Sequence, residues 1–450
     1  MWSPGEDMLS GVGGMGPWQI WVLGLIWLSQ FFQSMTNMAV VFMQYQPDFR
    51  CQTAENFSAF ACDKVTNGTV SQACSKYVYS KEIMEETIVT QWDLVCDRTM
   101  RVADAQMVFM IGFFFGALFS GMFSDRFGRK KVVVVSGTLT SLFGILQAHS
   151  PSYPLFLIFR FLLSVSNVAC YSTGFVLCME VTTAKYRDWV GGLFYIPYAL
   201  GYITLSLVAY AFPNWRLMHT VISIPVGVNL LYWWLLPESP RWLFSKGKVA
   251  DVERVLISAA KYNRKLLETT SIDTSLDEIK ERNESVAGRI AKLFGFVRIL
   301  RHPRLALRCL LMSVVWFVTS MVYYGVSLNV STFSGDIFIN NAICGAVEVP
   351  AYMLSVPLLS WGRKRSVCLT LAVVGSALMV VPFLGQDFAW LQFPLAMLGK
   401  LSVTSTFAII FVQTAELFPT VIRDTGLGVC NSAGRIGSMF APYISLLSQM

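Results

Sequence analysis

Eleven apolar runs of roughly 20 residues each fill most of this 450-residue chain, and they leave little choice of fold. A helix rising ~1.5 Å per residue needs ~20 apolar residues to cross a ~30 Å hydrocarbon core, and in lipid its backbone can bond only to itself. The runs are Pro17–Val41, Ala103–Phe123, Val132–Ala148, Tyr153–Met179, Trp189–Ala211, Leu217–Leu236, Leu305–Val330, Ile337–Ser360, Val367–Leu384, Phe388–Ala415 and Thr425–Ser448. Composition agrees: 54% of residues are hydrophobic and 14% charged, with mean hydropathy +0.53. Soluble domains carry ~25% charged residues. The chain therefore reads as an all-α polytopic membrane protein. Glu6, Asp7 and the early glycines do not make a cleavable signal peptide, and the first apolar run is long enough to span. The net charge of +7 sits in short turns between runs, so it is no footprint for nucleic acid.

A basic turn, DRFGRKK at Asp125–Lys131, is echoed by WGRKR at Trp361–Arg365. Each lies between two apolar runs, in opposite halves of the chain. Glu180, six residues, then Arg187-Asp188 also reappears as Glu416, six residues, then Arg423-Asp424, an offset of 236 residues (416 − 180). Two echoes imply a duplicated membrane unit, which points to a secondary transporter rather than a receptor or membrane enzyme. Residues 1–240 form a six-span half and 305–450 a second half of five spans. The polar segment 241–304, with 14 Lys/Arg against 8 Asp/Glu, is the linker between them. Its Val249-Val252-Leu256-Ala259-Ala260 spacing fits a short amphipathic helix on the membrane surface.

Orientation follows the Lys/Arg bias of the turns. Arg126, Arg129, Lys130 and Lys131, then Lys185 and Arg187, the linker, and Arg363, Lys364 and Arg365 all fall on one side. That side is read as cytosolic, together with the N-terminus, and the loop from Gln44 to Val102 as extracellular. The loop holds Cys51, Cys62, Cys74 and Cys96 and the glycosylation sequons at Asn56 and Asn67. Four cysteines in an oxidising compartment make two disulfides, with three pairings open. The other six cysteines (170, 178, 309, 344, 368, 430) fall in spans as packing residues. Asn283 also heads a sequon but falls on the cytosolic linker, and Asn329 lies too close to the membrane to be used.

QWDLVCDR (Gln91–Arg98), DRFGRKK, PESPRWL (Pro237–Leu243) and AELFPTVIRDTGLG (Ala415–Gly428) resemble the signature motifs of the organic ion transporters of solute carrier family 22, in the major facilitator superfamily. The resemblance spans the whole chain. It implies the major facilitator fold, two pseudo-symmetric six-helix bundles with alternating access to a cavity between them. A twelfth span and a cytosolic tail are expected beyond Met450, so the chain reads as lacking the last span.

The cytosolic motifs have a physical reading of their own. Asp125, Arg126, Arg129, Glu180, Arg187, Glu238, Arg241, Glu416 and Arg423 supply acids and arginines that can pair into a latch. Such pairs would hold the halves together on the cytosolic side and bias the carrier outward. Simple positive-inside anchoring accounts for the basic residues but not for the repeated acids.

Substrate chemistry must come from polar groups in mid-span, where ionisable side chains are costly and usually functional. Glu348, Lys400 and Arg435 each lie about a dozen residues from a span end, ~16–18 Å deep. Arg160, seven residues into its span, lies nearer the outer face. The structural alternative is an ion pair, Glu348 with Lys400 or Arg435, that only ties helices together. By the resemblance, Glu348 and Arg435 stand where the family places a cation-binding Glu and an anion-binding Arg. Trp316 and Tyr323, seven apart and so on one helix face, resemble residues that face substrate there. Aromatic faces attract quaternary ammonium.

In the family, cation transporters carry an acid near the place of Arg435 and anion transporters a lysine at the place of Tyr352. VEVPAY (Val347–Tyr352) together with Arg435 is most similar to the organic cation/carnitine, or zwitterion, subgroup. The expected solutes rank as a small zwitterion, then an organic cation, then an organic anion. No enzyme is expected: His149, His219 and His302 are scattered, no catalytic or metal-ligand spacing occurs, and there is no P-loop or cofactor motif. A non-transporting truncated isoform is the reading from another class. The residues favour no one coupling mode among sodium coupling, exchange and facilitation.

Overall fold

The computed structural model describes residues 12–51, 62–66, 69–74, 76–265, 301–333, 335–384, 388–418 and 423–447. Every expected apolar run falls on helix. The first half contains α1 (Pro17–Met38), α2 (Met100–Phe127), α3 (Arg129–Ala148), α4 (Tyr153–Val181), α5 (Ile196–Ala211) and α6 (Trp215–Ser223). After α7 (Val249–Tyr262) in the linker come α8 (Pro303–Leu328), α9 (Ile337–Ala346), α10 (Glu348–Trp361), α11 (Arg363–Val380), α12 (Ala389–Leu417) and α13 (Arg423–Leu447). Among the described residues, nine helices are long and apolar enough to cross a membrane by length and composition. The two expected spans outside that set are α1 and α13. Both are rich in polar side chains, including Gln30, Gln33 and Asn37 on α1 and Arg435 on α13, and these turn inward.

Prolines break two spans near their middles. Pro197 follows the interruption between Ala184–Leu193 and α5, and Pro350 follows the one between α9 and α10. Each removes a backbone donor, so one carbonyl four residues earlier has no helical partner. The sixth span also changes character at Pro225, passing from α6 through a 3₁₀ turn, Pro225–Leu230, to Tyr232–Leu235.

Small residues set the packing inside each bundle. A Cβ on Gly112 or Gly116 of α2 would run into the Phe161 and Val165 carbonyls of α4, so this four-residue spacing lets the two helices touch. The basic turns are structural repeats as well as sequence repeats. Gly128 and Gly362 carry φ of +106° and +127°, and each ends one helix and starts the next. A side chain is strained at such angles, so glycine is required at both.

The segment between α1 and α2 pairs Cys51 with Cys74 and Cys62 with Cys96, one of the three open possibilities. Two short antiparallel ribbons accompany them, β1 (Phe49–Cys51) with β4 (Tyr77–Tyr79) and β2 (Asp63–Thr66) with β3 (Thr69–Ala73). Asn56 and Asn67 lie outside the described residues. At the opposite face, α7 buries Val252, Leu256, Ala259 and Ala260 as its spacing requires, while Val249 turns outward. Asn263, just after α7, accepts from the Trp18 N–H (2.9 Å) and donates to Gln19 Oε1 (3.0 Å), fixing the linker helix to the start of α1.

Candidate functional site

A cavity lies between the two bundles. The first half lines it with Gln30, Gln33 and Asn37 of α1, Phe113 of α2, Asn167 and Tyr171 of α4, Tyr195, and Tyr198 of α5. The second half contributes Tyr323 and Tyr324 of α8, Tyr352 of α10, Phe407 of α12 and Arg435 of α13. Six of these thirteen side chains are tyrosines, so the wall offers both aromatic faces and hydroxyls. Tyr195 and Tyr352 stack across the junction of the halves, 5.1 Å apart and 18° from parallel, beside the two proline breaks.

Arg435 is buried, and its guanidinium stands 4.5 Å from the ring centre of Phe113 in the other half. Among the described residues no carboxylate pairs with it, and its Nε has no hydrogen-bond partner. A buried cation held only by an aromatic face is under-compensated, because cation–π attraction returns ~0.5–2 kcal/mol against a desolvation cost of several. Gln33 Oε1 and Asn37 Oδ1 are likewise without partners among the described residues. Their NH₂ groups are engaged, Gln33 with Ser29 (2.6 Å) and Asn37 with Tyr198 (2.9 Å). The amide oxygens are thus available acceptors.

Glu348 and Lys400 sit behind this wall rather than on it. Both are fully buried, and Lys400 Nζ is 2.9 Å from Glu348 Oε1. The Tyr323 hydroxyl donates to the same carboxylate oxygen at 2.6 Å, and Lys400 also donates to Ser327 Oγ. Lys400 Nζ stands 3.5 Å from the centre of the Tyr323 ring. The two charges therefore cancel each other and are bound to the back of one cavity residue. This is the ion pair the sequence offered as a structural alternative, formed with Lys400 and not with Arg435. Trp316 is also buried off the cavity. It donates to Thr414 Oγ1 (3.0 Å) and packs edge-on against Phe411 and Phe407, so it backs a lining residue. Of the five expected substrate residues, Tyr323 and Arg435 line the cavity, while Glu348, Lys400 and Trp316 support its wall.

Sequence reasoning passed over the first half's contribution. Its signal was present in Gln30, Gln33 and Asn37, spaced three and four apart on one face of an apolar helix. The tyrosines of α4 and α5 carried no comparable mark, since a tyrosine in a span suits packing equally well.

At the basic-turn end, Arg129 donates to both oxygens of Glu180 (2.9 and 2.8 Å) and lies 3.0 Å from Asp125. Glu238 accepts from the backbone N–H groups of Arg129 (2.8 Å) and Lys130 (3.1 Å), an anion set on the N-terminus of α3. In the second half Arg363 grips Glu416 in the same way. The two clusters repeat one design: Arg129 takes Glu180, one of the partners the sequence left open to it beside Glu238 and Glu416, and each cluster closes within its own half rather than tying the halves together as the latch reading expected. The cause is topological: Gly128 and Gly362 place each arginine one helix away from its acid in the same bundle. Arg126 stacks on its neighbour Phe127, Arg187 and Arg241 lie at this same end, and the Arg423 side chain lies outside the described set. Hydrogen bonds that do join the halves lie towards the disulfide side. Tyr443 donates to Asp104 (2.7 Å), Asn341 to Ser206 (2.8 Å), and Phe42 stacks on Phe338.

Comparison with known proteins agrees with this architecture. Residues 27–447 match the family model described as sugar (and other) transporter. The organic cation transporter protein of Drosophila melanogaster is 32% identical over 99% of this chain and 87% of its own length. Mouse organic cation/carnitine transporter 2 is 30% identical over 98% and 86%, and rabbit organic anion transporter 3 is 30% identical over 99% and 86%. Among solved structures, the proton:xylose symporter XylE superposes with a TM-score of 0.62 at 14% identity, covering 96% of this chain and 89% of its own. That likeness concerns the fold alone. A multi-pass helical fold, a polar cavity between two bundles and relatives of this kind make the chain a member of the sugar (and other) transporter family of the major facilitator superfamily, within the organic ion transporters of solute carrier family 22.

Proposed function

We propose that the protein carries a small organic zwitterion of the carnitine type across the plasma membrane by alternating access. The observation that carries this reading is Arg435, a buried guanidinium that no acid among the described residues neutralises, set in a wall of tyrosines. A carboxylate on Arg435 would form charge-assisted, potentially bidentate hydrogen bonds. A quaternary ammonium at the other end of the solute would rest on aromatic faces, chiefly the Tyr195–Tyr352 stack and Tyr198. Tyr323 contributes less, because Lys400 already occupies one face of its ring. Gln33 Oε1 and Asn37 Oδ1 add partial negative charge. The name of the mouse relative, a cation/carnitine transporter, is in keeping with this.

A second reading, a monovalent organic anion, is favoured by one specific feature. Since Lys400 cancels Glu348, only an anion brings the cavity near Arg435 to neutrality. Uptake by surface-expressed protein of radiolabelled carnitine, tetraethylammonium and a monocarboxylate decides between them. The expected order puts carnitine first; monocarboxylate uptake without carnitine uptake would replace the zwitterion reading by the anion one. No flux of any solute, with surface labelling intact, would favour a non-transporting role.

The basic turns are assigned to the cytosol and residues 44–102 to the exterior, with 241–304 as the cytosolic linker between the halves 1–240 and 305–450. The arginine clusters then stiffen each half as a rocking unit. Arg129→Ala removes a buried bidentate pair and leaves Glu180 and Asp125 facing each other. Arg363→Ala removes a pair whose members are about half exposed, and exposed pairs contribute ~0–1 kcal/mol. Maximal transport rate should therefore fall at least ~10-fold in Arg129→Ala and much less in Arg363→Ala, with substrate affinity nearly unchanged in both. Equal losses in the two variants would count against the repeated clusters having unequal burial as their decisive difference.

A further inference from the structure

We propose that the first half contains a second binding site, separate from the central cavity, for a small monovalent inorganic anion such as chloride. Three helices meet where a Cβ on Gly144 of α3 would press on Ser223 of α6 and Leu163 of α4. One helical turn towards the disulfide side, these helices carry Gln147, His219 and Arg160. The three are 0%, 0% and 1% exposed, so they form a polar layer sealed inside the bundle. His219 and Arg160 are close enough to interact electrostatically.

Hydrogen bonding in this layer is incomplete. Arg160 donates through Nε to the Ala105 carbonyl (3.1 Å) and through Nη2 to Gln106 Oε1 (2.8 Å). Its Nη1, both ring nitrogens of His219, and both amide atoms of Gln147 have no partner among the described residues. Buried polar groups are nearly always satisfied, and five such atoms on three side chains of one layer call for a further hydrogen-bonding partner. The deficit is also one of charge. An arginine keeps its proton, and among the described residues no carboxylate forms a salt bridge with Arg160. Asp104, one residue before Ala105, is instead engaged by Tyr443. The rings of Phe109 (4.7 Å) and Phe156 (6.0 Å) provide only cation–π compensation.

A chloride-sized anion answers the charge and the three donors among the five atoms, leaving Gln147 Oε1 and the unprotonated His219 nitrogen as acceptors. It would accept from Arg160 Nη1, from the Gln147 amide and from whichever His219 nitrogen carries a proton, and it would balance the guanidinium. A water molecule could serve the donors but not the charge. Over the layer lies an aromatic cover in which Trp92 packs against Phe156 (5.2 Å), Trp215 (5.8 Å) and Tyr153 (5.5 Å). The Trp215 indole donates to Gln91 Oε1 at 2.9 Å. The Gln91-Trp92 pair that opens the QWDLVCDR motif thus closes this layer on the disulfide side. Arg160 is seven residues, or ~10 Å, along α4 from the nearest cavity residue on that helix, Asn167.

The test is thermal unfolding of the purified full chain in detergent, at fixed sodium and ionic strength, in chloride, bromide or gluconate. Chloride and bromide should raise the midpoint by ~2–5 °C over gluconate, as expected for a ligand well above its Kd. The rise should shrink below ~1 °C in His219→Phe and in Gln147→Leu, which keep the helices apolar and filled, and should persist in Arg435→Ala. Identical midpoints in chloride and gluconate would overturn the proposal in favour of ordered water. Persistence of the rise in both α3 and α6 variants, or its loss in Arg435→Ala, would also overturn it, the latter placing the anion in the central cavity.

Discussion

Arg435→Ala should weaken carnitine binding ~10- to 100-fold and leave tetraethylammonium little changed or improved. Losing one charge-assisted contact costs ~1.5–3 kcal/mol, and each ~1.4 kcal/mol is a factor of ten in affinity. The loss falls on the carboxylate end of the solute alone. Nothing else on the described cavity wall carries positive charge, since Lys400 is spent on Glu348 behind Tyr323. A cation without a carboxylate gains from removal of a like charge. Measured as inhibition constants in intact cells with surface expression matched, equal weakening of the two solutes would make Arg435 a structural residue.

Breaking the Glu348–Lys400 pair from one side should be the most damaging change to folding. Lys400→Met leaves a carboxylate at 0% exposure with only the Tyr323 hydroxyl for a partner. Uncompensating one member of a buried pair costs ~3–5 kcal/mol, whereas replacing both members by neutral groups of similar size is often near neutral. Lys400→Met should thus lower the yield of folded protein severely, and Lys400→Met with Glu348→Gln should restore most of it. Thermal unfolding of the four members of this cycle measures the coupling directly. A double variant as unstable as the worse single one would mean that the charges do not compensate each other. Carnitine uptake by the rescued double variant then reports whether Glu348 also touches the ammonium, as the family resemblance implies, or acts through Tyr323.

Much of this architecture was legible before any coordinates. Long apolar runs have one stable form in lipid, so span positions followed from length. The duplicated glycine-bearing turns were visible as text, and Gly128 and Gly362 both take a positive φ at a junction between two helices. What escaped was whatever depends on neighbours from distant segments. Glu348, Lys400 and Arg435 lie at one depth, and depth alone does not say which two will meet. Their partnership is decided by the facing of α10, α12 and α13. The same holds for the pairing of Cys51 with Cys74, and for Arg129 and Glu180 closing within a half. The tyrosines of α4 and α5 were unmarked because a cavity wall and a packed interface call for the same side chain. The amides of α1 were legible in principle, being costly in lipid unless they face something polar.

Charge reversal at one position tests the central claim most directly, that Arg435 reads the carboxylate of a zwitterion while tyrosines hold its ammonium. Arg435→Asp should all but abolish carnitine uptake and raise tetraethylammonium uptake, so that the ratio of the two inverts in cells with equal surface protein. If both solutes rise or fall together in that variant, Arg435 does not choose between them, and the zwitterion account of this cavity is contradicted.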